Sequence, residues 1–76
     1  MPSRNKVELN NSRILTWARE SGGYTLEDIA ALFHKDVSVI DAWERGDDAP
    51  TYAQLERLAN KLKRPLAVFF LPEPPV

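Results

Sequence analysis

The groups in this chain best placed to do chemistry together lie in the stretch VSVIDAWER, residues 37–45, and in Lys35 just ahead of it. At about 100° per residue, Val37, Ser38, Asp41, Ala42 and Arg45 fall on one side of a helix there, and Ile40 and Trp43, flanked by Val39, fall on the other. The apolar side is a core stripe, so the polar side is what a partner would meet. Its chemistry is hydrogen bonding rather than bond making. The Arg45 guanidinium can donate to a guanine edge or a phosphate, and the Asp41 carboxylate can accept from a cytosine amino group. That side has no Asn or Gln to grip adenine. Lys35, with Arg4 and Lys6 near the N-terminus, supplies candidate phosphate contacts.

Catalysis finds no comparable set of residues. The chain has no cysteine, and its single histidine, His34, cannot hold zinc alone; there is no HExxH string. With no nucleophile–base pair and no metal set, no enzyme activity, metal or cofactor is expected. No apolar run approaches the ~18 residues of a membrane span. The N-terminal MPSRNKVELN lacks the apolar segment of a signal peptide. A soluble, cytoplasmic domain without membrane contact is expected.

The elements that must position the polar side are legible on either side of it. In TLEDIAALF, Leu26, Ile29, Ala30 and Phe33 repeat at helical period behind Thr25, with Asp28 three residues on in a near capping box. His34-Lys35 breaks the pattern, Asp36 is a candidate N-cap, and Gly46 with Asp47 and Asp48 is the stop. Two capped helices joined by a tight turn match a helix-turn-helix unit, whose second helix is the candidate reader of a major groove. Upstream, Asn10 and Asn11 can cap a helix carrying Ile14, Leu15 and Ala18, which Gly22-Gly23 ends. Tyr24 is expected to tuck its ring over a helix turn. Downstream, Thr51 and Gln54 form a second capping box before the Leu55, Leu58, Ala59, Leu62 stripe. Lys61, Lys63 and Arg64 then suit the helix C-terminus better than a nucleic-acid patch.

The spacing therefore predicts an all-α, compact five-helix domain with helices near 11–21, 25–33, 36–45, 51–63 and 65–71. Residues 1–9 are expected as a flexible arm, 10–71 as the helix-turn-helix domain, and 72–76 as a proline-rich linker or tail. The last predicted helix, LAVFFL, is apolar all round, so Leu66, Phe69 and Phe70 are candidate interface residues.

Charge cuts across this plan. The net charge is −1. Residues 1–19 carry +3 and 49–76 carry +2, while 20–48 carry eight carboxylates against Lys35 and Arg45, a net −6. The segment shaped like a DNA reader is the most acidic in the chain, and phosphates repel such a surface.

In TLEDIAALF, the Trp43-Glu44-Arg45-Gly46 string and APT followed by LERLANKL, the chain resembles lambda-repressor-like Cro/CI (XRE) helix-turn-helix domains over residues 10–75. The block KRPLAVFFLPEPP is similar to the N-terminal domain of XRE regulators fused to an ImmA/IrrE-type metallopeptidase. The resemblance implies a sequence-specific DNA-binding domain of a transcriptional regulator, with double-stranded DNA as partner. It also implies a homodimer or a following peptidase domain held through the last helix. It further implies a structural ion pair between Arg19 and Glu44, the latter on the border of its helix's two faces. One departure is Leu26, where such repressors commonly place a polar phosphate contact. With the acidic balance, it keeps a second function open: a protein-docking module that regulates a peptidase domain.

Overall fold

The computed structural model describes residues 6–74. Four α-helices follow in order: α1 (Arg13–Ser21), α2 (Leu26–Phe33), α3 (Val37–Arg45) and α4 (Tyr52–Leu62), then a 3-10 helix, Leu66–Phe70. No strand is present among the described residues; Lys6 and Thr51 form an isolated antiparallel bridge.

Local chemistry explains each helix start. Thr25 accepts from the backbone N–H of Asp28, whose carboxylate accepts from the Thr25 N–H, so the short Asp completes the box expected of a Glu or Gln. Thr51 and Gln54 repeat the arrangement at α4. At α1 the residue beside the helix is Ser12, whose side chain does not cap; Asn11 Oδ1 instead accepts from the Arg13 N–H at 3.0 Å. Asp36 occupies the N-cap position of α3 in extended conformation but makes no side-chain cap bond.

The helices close on one core: Ile14, Leu15 and Ala18 of α1, Ile29, Ala30 and Phe33 of α2, Ile40 and Trp43 of α3, and Leu55, Leu58, Ala59 and Leu62 of α4. Phe33 and Trp43 meet edge to face, their centroids 5.4 Å apart. Leu26 packs against this core, as an apolar residue at that position should. The α3 helix lies against both α1 and α2.

Three expectations are corrected. The fifth helix is a 3-10 helix, because Pro65 is extended (ψ 142°) and only five residues follow before Leu71 is extended again. Within it Phe69 is fully buried and belongs to the core, not to an interface. Phe70 and Leu71 remain 36% and 38% exposed, and Leu66 is half-buried against the core. The described part of the arm is not free. Val7 donates to the Pro50 carbonyl at 2.9 Å, Lys6 bridges to Thr51, and Val7 and Leu9 pack against the core.

Gly46 ends α3 at φ 85°, and a Cβ there would lie 3.1 Å from the Ser12 hydroxyl, so both conformation and space ask for glycine. The equivalent left-handed positions after α2 and α4 hold His34 (φ 55°) and Lys63 (φ 57°) instead. Left-handed backbone is unfavourable by ~1–2 kcal/mol for a residue with a Cβ. His34→Gly and Lys63→Gly are each expected to stabilise the fold by about 1 kcal/mol, measured as a rise in denaturant midpoint at unchanged slope.

Hydrogen bonds from Thr25, its backbone N–H first and its hydroxyl second, hold the Asp28 carboxyl below the usual carboxylate range. A carboxyl lowered by folding contributes stability above its unfolded value, and the contribution is lost as pH falls through the folded value. Asp28→Asn should therefore flatten the acid limb of the stability curve, read as denaturation midpoints from about pH 5 to about pH 2.

Candidate nucleic-acid interface

Three residues, His34, Lys35 and Asp36, turn the chain from α2 into α3. The turn is tight because His34 is left-handed, and the N–H groups of His34 and Lys35 cap α2 on the Ala31 and Ala30 carbonyls at 3.2 and 3.0 Å. The α3 helix then buries Ile40, Trp43 and Glu44, which leaves Ser38 and Arg45 exposed and Asp41 and Ala42 half-exposed. The angular division read from the sequence holds for these residues. Val37 departs from it: it is half-buried and packs on the core, so it offers little outward surface.

A buried clamp sets the pitch of α3. Arg19 of α1 donates from Nε to Glu44 Oε2 at 2.6 Å and from Nη2 to Oε1 at 3.1 Å. Its Nη1 donates to the Tyr24 carbonyl at 2.9 Å, and the Thr16 hydroxyl donates to Glu44 Oε1 at 2.9 Å. The two side chains are only 12% and 10% exposed. The hydrogen bond with Glu44 raises the Arg19 pKa above its ordinary value, and burial opposes it. Thr16 is a partner that sequence reasoning missed; its only signal was a position one helical turn before Arg19.

The cations around α3 are arranged less simply. Arg45 Nε lies 3.0 Å from Asp41 Oδ2, and its Nη1 lies 3.3 Å from Asp47 Oδ2. Lys6 Nζ lies 2.5 Å from Asp48 Oδ1, which also accepts from the Ala49 N–H. The bond from Lys6, then that from Ala49, holds the Asp48 carboxyl below the usual range, and nearby Lys35 adds attraction. Lys6 and Lys35, far apart in sequence, thus line one open groove with Val39, Trp43, Asp48 and Gln54. Among the described residues Lys35 has no carboxylate partner within 4 Å. Arg4 lies outside the described residues.

Three basic residues, Arg57 and Lys61 of α4 and Arg64 just after it, are committed elsewhere. Arg57 lies 5.7 Å over the Phe33 ring, Lys61 Nζ 5.1 Å over Tyr24, and Arg64 4.7 Å over Trp17, with a 2.8 Å bond to the Ser21 hydroxyl. They act as cation–π covers of the core. They do not gather with Lys6 and Lys35.

Two helices joined by a three-residue turn, the second with one face in the core and the other outward, define a helix-turn-helix domain. The helix-turn-helix family model HTH_3, of the Cro/CI (XRE) type, matches residues 15–69, and the chain belongs to that family of DNA-binding, non-catalytic domains. No curated protein and no solved structure matches the chain. No helix among the described residues is long and apolar enough to cross a membrane.

Removing one partner of a buried, hydrogen-bonded pair leaves a charge with nothing to bond. Glu44→Ala should therefore destabilise the domain by roughly 3 kcal/mol or more. Replacing both partners with apolar residues, Arg19→Met with Glu44→Leu, should recover most of that loss in a denaturant titration.

Proposed function

We propose that this domain is the sequence-reading unit of a transcriptional regulator, laying α3 in the major groove of double-stranded DNA. The observation that carries the reading is that a buried clamp fixes α3 while Ser38, Asp41, Ala42 and Arg45 line its accessible side. Lys35 and Lys6 share the groove along its flank. Arg45 and Asp41 are the base readers, toward guanine and cytosine respectively. Lys35 and Lys6, with Arg4 from the N-terminal segment, are the phosphate contacts. Membership of the family supports the DNA partner. The function places the protein in the cytoplasm, with the domain acting as one half of a pair on a two-fold operator.

Docking of a protein is a second reading, favoured by exposed Phe70 and Leu71 beside half-buried Leu66 and Val68. Together with the KRPLAVFFLPEPP block, it supports a peptidase domain, attached or separate, or a second copy, held at this end of the molecule.

With about three phosphates neutralised per subunit, affinity for duplex DNA should fall roughly 40-fold between about 50 and about 200 mM salt. Arg45→Ala should weaken the preferred sequence by ~1–3 kcal/mol and relax preference at one position. Amide NMR shifts on adding random duplex give the direct test, and residues 35–45 should move. No shift there at about 50 mM salt would exclude the DNA reading and leave the docking one.

A further inference from the structure

The acidic turn between α3 and α4 supplies two carboxylates, Asp47 and Asp48, that pair with two of the cations assigned to DNA. A guanidinium offers two double-donor edges, Nε with Nη2 and Nη1 with Nη2. Asp41 Oδ2 lies 3.0 Å from Nε of Arg45, beside the first edge, and Asp47 Oδ2 lies 3.3 Å from Nη1, beside the second, each as an ion pair. A carboxylate beside each edge must move aside before that edge can grip guanine O6 and N7 with two bonds. On the neighbouring flank, Asp48 takes Lys6 from the groove that Lys6 shares with Lys35.

We propose that Asp47 and Asp48 are affinity-setting residues of the DNA interface: their carboxylates compete with phosphate and base for Arg45 and Lys6, and so suppress binding to non-cognate duplex. The inference rests on the DNA reading of α3. Non-specific affinity comes almost wholly from neutralised phosphates, so it is the component that masking removes. Each pair is exposed, with side chains between 40% and 62% accessible, so it damps binding severalfold and does not block it. A sequence that places a guanine opposite Arg45 can displace Asp47; a random one gains too little. Discrimination is then obtained by penalising the wrong partner. Asp41 is set apart from this role because it lies on the reading side itself.

The test titrates random-sequence duplex DNA into the full chain and into Asp47→Asn, Asp48→Asn and the double variant, at several salt concentrations. Glu56→Gln is the control, the same charge change at an exposed α4 residue bonded to no cation among the described residues. Asn keeps the oxygen that can accept from Ala49, and circular dichroism melts verify that each variant is folded. Each aspartate change should tighten binding about threefold or more at about 50 mM salt, and Glu56→Gln should do much less. The double variant should steepen the salt dependence by up to about 0.9 per released cation, because no carboxylate left behind recruits a counterion. Lys6→Gln placed on Asp48→Asn should abolish that variant's gain. Equal gains from Glu56→Gln, an unchanged slope in the double variant, or a gain that survives Lys6→Gln would overturn the proposal while wild-type binding upholds the DNA reading. Failure of wild type and double variant alike to bind at low salt would overturn both.

Discussion

The position of α3 depends on one guanidinium. Arg19 spends its Nε and Nη2 on Glu44 and its Nη1 on the Tyr24 carbonyl, so one planar group ties the end of α1, the entry to α2 and the last turn of α3. Thr16 supplies a further donor to the carboxylate, and no buried side-chain polar atom lacks a partner among the described residues. A buried ion pair adds little net stability, because desolvation cancels much of the attraction. What it provides is geometry. A bidentate pair has one good arrangement, where an apolar contact tolerates sliding and rotation, and an outward helix face is useful only if its rotation is fixed.

With α3 fixed, the distribution of cations decides how its outward face behaves. Arg57 and Lys61 of α4 and Arg64 just after it cover the rings of Phe33, Tyr24 and Trp17, an arrangement in which the charge stays wet while its apolar stem shields the core. Near α3, Arg45 faces Asp41 and Asp47, four and two residues away in the chain, and Lys6 faces Asp48 across the loop, while Lys35 has no carboxylate within 4 Å among the described residues. The field around the reader is therefore weak, and long-range steering toward a phosphate backbone is weak with it. On the proposed DNA reading, recognition would then come from short-range hydrogen bonds once α3 is in place, and the face would depend on base chemistry more than on charge.

The fold was legible where the physics is local. Both capping boxes, the apolar stripes and the glycine that ends α3 lie within a few residues, and the helices form where those signals put them. The last helix was misjudged because all-round apolarity says that a segment is buried, not which helix it forms; Pro65 and the short run settled it as 3-10. The outward side of α3 was legible as a face, since rotation per residue is fixed; the Asp41–Arg45 pair went unread although its i, i+4 spacing carries it, because each residue was assigned a base of its own. Lys6 with Asp48 was not, because a contact across forty-two positions is set by tertiary packing that no local pattern carries. Val37 was misplaced for a related reason: an angular plot has no neighbours in it, and the surrounding core reaches round to that edge of α3.

Both ends of the described chain are closed onto the body, and that bears on how two partners could be served at once. The Lys6–Thr51 bridge seals the N-terminal segment along the α3–α4 connection. The amides of Asn10 and Asn11, just ahead of α1, donate to the Phe70 and Pro72 carbonyls at 2.6 and 3.3 Å. The exposed Phe70 and Leu71 are thereby anchored at the start of α1, whereas the outward side of α3 is set from the opposite end of α1, through Arg19. A protein held at the apolar patch would engage one end of α1 and DNA would engage the helix fixed at the other. The two surfaces share no side chain: the apolar patch is Leu66, Val68, Phe70 and Leu71, and the outward side of α3 is Ser38, Asp41, Ala42 and Arg45.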